Sequence, residues 1–246
     1  MSEAIRPEPQ SGDDGLVRDA LENGLSLLCR SDCGIDSVIA PRFESVVSLL
    51  IRYIREIEFR NPALSLVGTN DPGELVSRHI LDSLSPLGIM IRAIAGFSPA
   101  RVADVGSGAG LPGIPLAATM PDTLFTLIER KGRRAGFLRE TVEALGLRNV
   151  AVEEAEMEKA KSGRFDLVTF RAFRPLEPKI YKKLSRLCAA GGTLAAYKGR
   201  LAKTEAEMAA LERAVPTLAG RWEILPCPVP GLDGERHLAV VRSQNA

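Results

Sequence analysis

Between Arg101 and Pro115 the chain reads Arg-Val-Ala-Asp-Val-Gly-Ser-Gly-Ala-Gly-Leu-Pro-Gly-Ile-Pro: a run of strand formers, then glycines at 106, 108, 110 and 113, then helix-compatible sequence. Glycines placed there let the backbone turn sharply after a strand and approach a ligand more closely than a Cβ permits. The surrounding pattern agrees. From Arg101 onward, strand-like runs at 101–105, 123–129, 149–153, 165–170 and 193–197 alternate with helical ones, which predicts a parallel sheet covered on both faces. The stripe Ala135, Leu138, Val142, Leu145 marks one of those helices and stops at Gly146, a favoured residue just past a helix end. Trp222–Pro228 and His237–Arg242, joined by Pro230-Gly-Leu-Asp-Gly234, predict a closing antiparallel hairpin.

Upstream the period is helical. Residues 1–15 hold prolines, glycines and acids with almost nothing apolar, and are expected to be a disordered tail. Residues 16–96 show helical spacing and no strand. The clearest helix starts at Pro41 and carries Phe43, Val46, Val47, Leu50, Ile54 and Ile57 on one stripe. A second is predicted from about Pro72 to Leu84, with Leu75, Ile80 and Leu84 inward. The expected division is therefore a tail (1–15), a helical extension (16–96) and an α/β domain (97–246).

The glycine loop admits two ligands. Gly108-x-Gly110-x-x-Gly113 fits a dinucleotide fingerprint, which is a weak signal by itself. Asp104-x-Gly106-x-Gly108 instead puts an acid at the strand end, suited to the cationic amino-acid end of S-adenosylmethionine, and Pro112 disfavours the helical conformation at Leu111 that the fingerprint needs. Glu129, ending the second strand, is placed for ribose hydroxyls under either ligand. The acid at 104 favours S-adenosylmethionine.

Charge is balanced: 32 Lys and Arg against 31 Asp and Glu in 246 residues, a formal +1. A wholly basic surface is excluded, so any polyanion must meet local clusters. Two exist, one at Arg130–Arg139 containing Arg133 and Arg134, the other at Arg171–Arg186 containing Arg174, Lys182 and Lys183. Either could equally be a solvated helix face. Lys198, ending the fifth strand, is a further polyanion-facing candidate because ligands of parallel sheets gather at carboxyl strand ends. The cysteines at 29, 33, 188 and 227 and the histidines at 79 and 237 have no zinc-site spacing, so no metal is expected. With no export signal and no apolar run long enough for a bilayer, a cytoplasmic protein free of the membrane is expected.

Five motifs stand out: Arg78-His-Ile-Leu-Asp-Ser-Leu84, Asp104-Val-Gly-Ser-Gly-Ala-Gly-Leu-Pro-Gly-Ile-Pro-Leu-Ala117, Arg133-Arg134-x-x-Phe137-Leu138, Phe165-Asp-Leu-Val-Thr-Phe-Arg-Ala172 and Tyr197-Lys-Gly199; the first of them and the Gly-Leu-Pro-Gly-Ile-Pro extension are far more specific than the glycine loop. In these, in this order, the chain resembles the bacterial guanine-N7 methyltransferases of small-subunit ribosomal RNA, also called glucose-inhibited division protein B. The resemblance implies a class I S-adenosylmethionine-dependent methyltransferase fold, Rossmann-like, with a helical N-terminal extension, methylating one guanine in a loop of 16S rRNA. It implies cofactor contacts at Gly106, Leu111 and Arg171. The family's Arg-Ala-Glu after the third strand falls, counted without a gap, on Glu156-Met157-Glu158, so Met157 and Glu158 are the expected adenine contacts; a two-residue gap would make them Ala155 and Glu156. Ser65-Leu66-Val67 also departs from the family's Asn-Leu-Thr.

That chemistry needs no general base. Guanine N7 carries an in-plane lone pair and can attack a sulfonium methyl without first losing a proton, so catalysis reduces to alignment and exclusion of water. Arg171, Lys198 and His79 are the positioning candidates, with Asp82 three residues from His79 on the same helical face, where it could orient the imidazole. Because N7 lies in the deep groove of A-form RNA, the target base must be in an opened loop or flipped out. The expected partner is 16S rRNA or the small ribosomal subunit, met by a monomer. A small-metabolite methyltransferase and, behind it, a nicotinamide oxidoreductase or a non-catalytic RNA-binding module remain the alternatives.

Overall fold

The computed structural model describes residues 13–171 and 175–243. Seven strands form one sheet in the order β3-β2-β1-β4-β5-β7-β6. They are β1 Arg101–Val105, β2 Leu124–Glu129, β3 Val150–Glu154, β4 Phe165–Phe170, β5 Cys188–Lys198, β6 Trp222–Pro226 and β7 His237–Arg242. The first five run parallel, and β7 inserts antiparallel between β5 and β6. The predicted strands are all present. The largest difference is β5, which starts five residues before Thr193 and passes through Gly191-Gly192 with an irregular register against β4. Asn149 stands just outside β3, where its amide donates to the carbonyls of Ala117, Met120 and Thr123.

Alternation along the strands splits the core in two. Val102, Phe125, Leu127 and Leu167 point to one face, covered by α7 (Gly113–Thr119), α8 (Gly132–Leu145) and the N-terminal helices. Ala103, Val105, Val168 and Phe170 point to the other, covered by α9 (Pro178–Ser185) and α10 (Leu201–Ala214). Helix α8 ends as its sequence predicts, with Gly146 left-handed at φ 69°.

The N-terminal segment is entirely helical: α1 Asp13–Ser31, α2 Cys33–Ile39, α3 Phe43–Leu64, α4 Pro72–Glu74, a π-helical stretch Leu75–Leu81, α5 Asp82–Leu84 and α6 Leu87–Ile94. Helix α1 begins at Asp13, so three residues assigned to the tail are helical; residues 1–12 lie outside the described chain. Pro41 sits in a single 3-10 turn, Ala40–Arg42, ahead of α3. Val46, Val47, Leu50, Ile54 and Ile57 are buried in the same cluster as the sheet face, with Phe43 packed at its edge. Extension and sheet therefore share one continuous core. Leu75, Ile80 and Leu84 are fully buried as expected, but the helix that carries them widens to π geometry at its centre. Among the described residues no helix is long and apolar enough to cross a membrane.

The first turn of α7 depends on the absence of a side chain at 113. A Cβ there would meet Leu127 Cδ2 at 2.3 Å and Asp104 Oδ2 at 2.8 Å. Gly113→Ala is expected to lower unfolding free energy by about 1–3 kcal/mol, the usual cost of forcing a methyl into a packed interior, read as a lower denaturant midpoint.

Candidate functional site

At the carboxyl ends of β1, β2 and β3 the sheet opens into a cavity of about 500 Å³, walled by Gly106, Glu129, Lys131, Arg134, residues 155–158 and Lys183. That size suits a nucleoside-sized ligand. Gly106, the first residue of the loop between β1 and α7, is part of its wall. Gly106, Gly108 and Gly110 have φ of 74°, 56° and 92°, a region that side-chain-bearing residues rarely occupy. Glu129 fastens this loop: its carboxylate accepts from the Gly108 N–H at 3.0 Å and the Lys131 N–H at 2.8 Å. Leu111 is drawn into the shared core, and neither it nor Asp104, Gly108 or Arg171, the other expected cofactor contacts, is among the residues that wall the cavity.

Asp104 is buried at the end of β1. One oxygen accepts from the Gly113 N–H at 3.0 Å, while Oδ1 is buried with no hydrogen-bond partner among the described residues. Burial pushes its carboxyl up to about 7, opposed by the Gly113 N–H. A buried acceptor without a donor costs about 1–3 kcal/mol, and a cationic ammonium is the partner its chemistry calls for. The residues thus fit S-adenosylmethionine: Asp104 for its charged amino-acid end, Glu129 for ribose hydroxyls, and the 155–158 segment for the base. Met157 and Glu158 both line the cavity, as do Ala155 and Glu156, so either alignment supplies adenine contacts.

The N-terminal helices build the rest of the site. Tyr53 of α3, fully buried, donates its hydroxyl to the Ala109 carbonyl of the glycine loop at 2.7 Å. Sequence reasoning missed it. Its signal was available, because Tyr53 lies three residues after Leu50 on the apolar stripe, and a tyrosine hydroxyl in a core needs an acceptor. On the opposite side, Arg133 and Arg134 at the start of α8 donate to the carbonyls of Ala63 and Ser65, which close α3.

Arg171, one residue after β4, reaches into the π-helical stretch. Its Nη1 donates to Asp82 Oδ2 at 2.8 Å and to the carbonyls of Arg78 and His79 at 3.4 and 3.3 Å. Its Nη2 lies 3.3 Å from His79 Nδ1. A guanidinium can only donate, so Nδ1 must be the acceptor and the imidazole proton sits on Nε2. Burial, reinforced by Arg171, pushes His79 down to about 4, so the ring is neutral near pH 7. Asp82 does not orient that ring, as its place in the sequence had suggested. It is taken by Arg171 and by Arg236, whose Nε lies 2.9 Å from Oδ1. Tyr197 closes the group by donating to the Ser83 carbonyl. Beside this cluster is a second cavity, of about 220 Å³, bounded by Asp82, Arg171, Tyr197, Lys198, Arg236 and His237 among others.

The basic residues expected to face RNA are mostly committed within the chain. Lys198 has a side chain only 10% exposed and pairs with Glu207, over the ring of Phe170. Lys183 pairs with Glu158 across the mouth of the larger cavity. Arg133 and Arg134 hold α3 as described. Lys182 is exposed, and Arg174 lies outside the described residues.

Comparison with known proteins bears on this geometry. Residues 47–223 match the model of the GidB family, rRNA small subunit methyltransferase G. The chain belongs to this family. A relative of the same name from Alkalilimnicola ehrlichii is 40% identical over 216 residues, 87% of this chain and 92% of that one. One from Stenotrophomonas maltophilia is 38% identical over 229 residues, 92% and 94% of the two chains. A predicted O-methyltransferase from Agrobacterium tumefaciens shares the fold, with a TM-score of 0.50, 24% identity, and coverage of 68% of this chain and 81% of that one. The fold is that of the class I S-adenosylmethionine-dependent methyltransferases, with a helical N-terminal extension, and this GidB-family chain is an S-adenosylmethionine-dependent methyltransferase.

Two outcomes are expected at the cofactor site. Tyr53→Phe leaves the Ala109 carbonyl without its donor and should weaken S-adenosylmethionine binding roughly three- to tenfold in calorimetric titration, with the fold retained. For Asp104 the sign is fixed by its raised value. The unfolded carboxyl ionises near 3.9 and the folded one near 7, so between those values the folded state holds the extra proton and stability of the unliganded protein falls as pH rises. An ammonium ligand needs the ionised form. Cofactor affinity should therefore increase between about pH 6 and 8, and Asp104→Asn should bind weakly with no such rise.

Proposed function

We propose that this GidB-family methyltransferase transfers the methyl group of S-adenosylmethionine to N7 of a guanine in 16S rRNA, acting in the cytoplasm as a monomer on that RNA or on the small ribosomal subunit. The observation that carries this reading is the family match over residues 47–223, together with a site that holds positioning groups and no nucleophile–base pair. When bound, S-adenosylmethionine supplies a methyl group on a positively charged sulfur.

The chain's own residues need only bind, orient and exclude water. Asp104 and Glu129 fix the two ends of the cofactor that carry ammonium and hydroxyls. Arg171, tied to the π-helical carbonyls and to Asp82, has little freedom of its own, with a side chain 13% exposed. It stands between the end of β4 and the extension as a rigid wall at the transfer site. His79, neutral and held through Nδ1, keeps an Nε2–H donor and takes no proton from the base. N7 requires none to be taken, so these groups suffice for the reaction.

Radiolabelled methyl transfer to isolated small subunits or to 16S rRNA, with mass spectrometric location of the methyl group, tests the proposal. Label on guanine N7 is expected; transfer only to small metabolites, or to another atom of the RNA, would overturn it. Arg171→Lys keeps the charge but loses the planar fork that engages Asp82 and two carbonyls together. It should lower kcat/KM roughly tenfold or more, a loss of at least about 1.4 kcal/mol in transition-state stabilisation.

A further inference from the structure

The cavity of about 220 Å³ beside Arg171 is separate from the one walled by Gly106 and Glu129 and shares no lining residue with it. Its walls come from the far side of the sheet: Tyr197 and Lys198 at the end of β5, His237 at the start of β7, Asp82 from α5, and Arg236 from the loop that closes the terminal hairpin. Arg171 connects it to the transfer site. It follows β4, which pairs in parallel with β1, and neighbouring strands lie about 4.8 Å apart, so this cavity opens beside the strand end that carries Gly106.

Its ion pairs leave it with a positive balance. Lys198 is cancelled by Glu207, but Asp82 is one negative charge held between two guanidiniums, which leaves one positive charge in excess. Of these cations Arg236 has the most capacity to spare. Nε is bonded to Asp82 and Nη1 to the Glu235 carbonyl at 3.0 Å. Nη2 has no hydrogen bond among the described residues, and the side chain is one-third exposed. Asp82 fixes the plane of the guanidinium while its outer edge faces open space.

An arginine fork suits either a phosphate or the Hoogsteen edge of guanine, where it takes O6 and N7 together. The second choice would occupy the atom to be methylated. Under the N7 reading on which this inference rests, the guanidinium must therefore serve something other than the base. We propose that this cavity binds a phosphodiester group of the RNA strand that carries the target guanine, with Arg236 as the contacting residue and Asp82 as its positioning residue. A flipped nucleotide presents its flanking phosphates to the rim of the pocket that receives it, and a cation oriented in advance at that rim holds the strand without competing for N7.

The test measures affinity for 16S rRNA at several salt concentrations in wild type, Arg236→Gln and Arg236→Lys, with S-adenosylmethionine affinity measured in parallel. The Gln variant removes the charge but keeps a donor for Asp82, so the local fold has the best chance of surviving; retained cofactor affinity verifies it. Loss of one phosphate contact should weaken RNA binding about tenfold at low salt and flatten the slope of log affinity against log salt by about 0.7, with Lys restoring the slope. A merely structural role would lower activity and leave the slope unchanged, and that result overturns the proposal. Titration with inorganic phosphate separates the two sources of this chemistry: Arg236-dependent phosphate binding with unaltered RNA affinity would mean a free-anion site and would equally overturn it. Failure of wild type to methylate 16S rRNA would instead strike the N7 reading, so the two failures are distinct.

Discussion

One carboxylate holds three parts of this protein in register. Asp82, on the turn that follows the π-helical stretch, receives Arg171 from the end of β4 and Arg236 from the loop before β7. Its side chain is 9% exposed, so the interaction is made where water screens little. Replacing such a group is costly chiefly because the partners are left charged and unpaired, typically about 3–5 kcal/mol for a buried pair. The π geometry belongs to the same arrangement. Widening a helix disturbs its regular pattern of carbonyl partners, and the carbonyls of Arg78 and His79 are where Arg171 donates. The helix distortion and the arginine that exploits it explain each other.

It follows that the helical extension is built into the candidate site and is not an appendage. Tyr53 supports the glycine loop from α3, Arg133 and Arg134 grip the end of α3 from α8, Tyr197 donates to the Ser83 carbonyl, and the extension's apolar face is continuous with the core under the sheet. These contacts run in both directions across the join. A displacement of α3 would therefore be felt at Ala109, in the loop that approaches the cofactor, as well as in the core. The sheet alone would offer the cofactor floor, but neither the support of its loop nor the anchor of Arg171.

How much of this was legible in the sequence depended on range. Runs of strand formers alternating with helical sequence located six of the seven strands within two residues and β5 within five, because those signals are local. The acids at strand ends were legible for the same reason: Asp104 and Glu129 stand where a parallel sheet presents its ligand. Partnership across the fold was not. Arg133, Arg134, Lys183 and Lys198 read as basic clusters, and a one-dimensional pattern cannot show that their partners lie at Ala63, Ser65, Glu158 and Glu207. Asp82 was noticed for its spacing from His79, but Arg236, 154 residues away in the chain, takes one of its oxygens. Near-neutral charge was itself a clue: with 32 basic and 31 acidic residues, a cation has carboxylates to pair with inside the fold.

The cofactor site and the arginine hub solve opposite electrostatic problems. Asp82 is saturated, and its charge is spent on holding structure. Asp104 is more deeply buried and under-satisfied: one oxygen accepts from the Gly113 N–H and the other has no hydrogen bond among the described residues. A folding optimum would bond or remove that oxygen. It stands at the carboxyl end of β1, buried beside the glycine loop, where the ammonium of the proposed cofactor would complete it. Under the proposed function, an ammonium bound there would supply the missing partner and offset the cost of leaving that oxygen unbonded. Asp104 can remain in that condition because its surroundings do not yield: Gly113 packs against it too closely for a methyl group, and Tyr53 holds the loop from above. The rigidity supplied by the extension is thus what allows the acid to stay buried and incomplete.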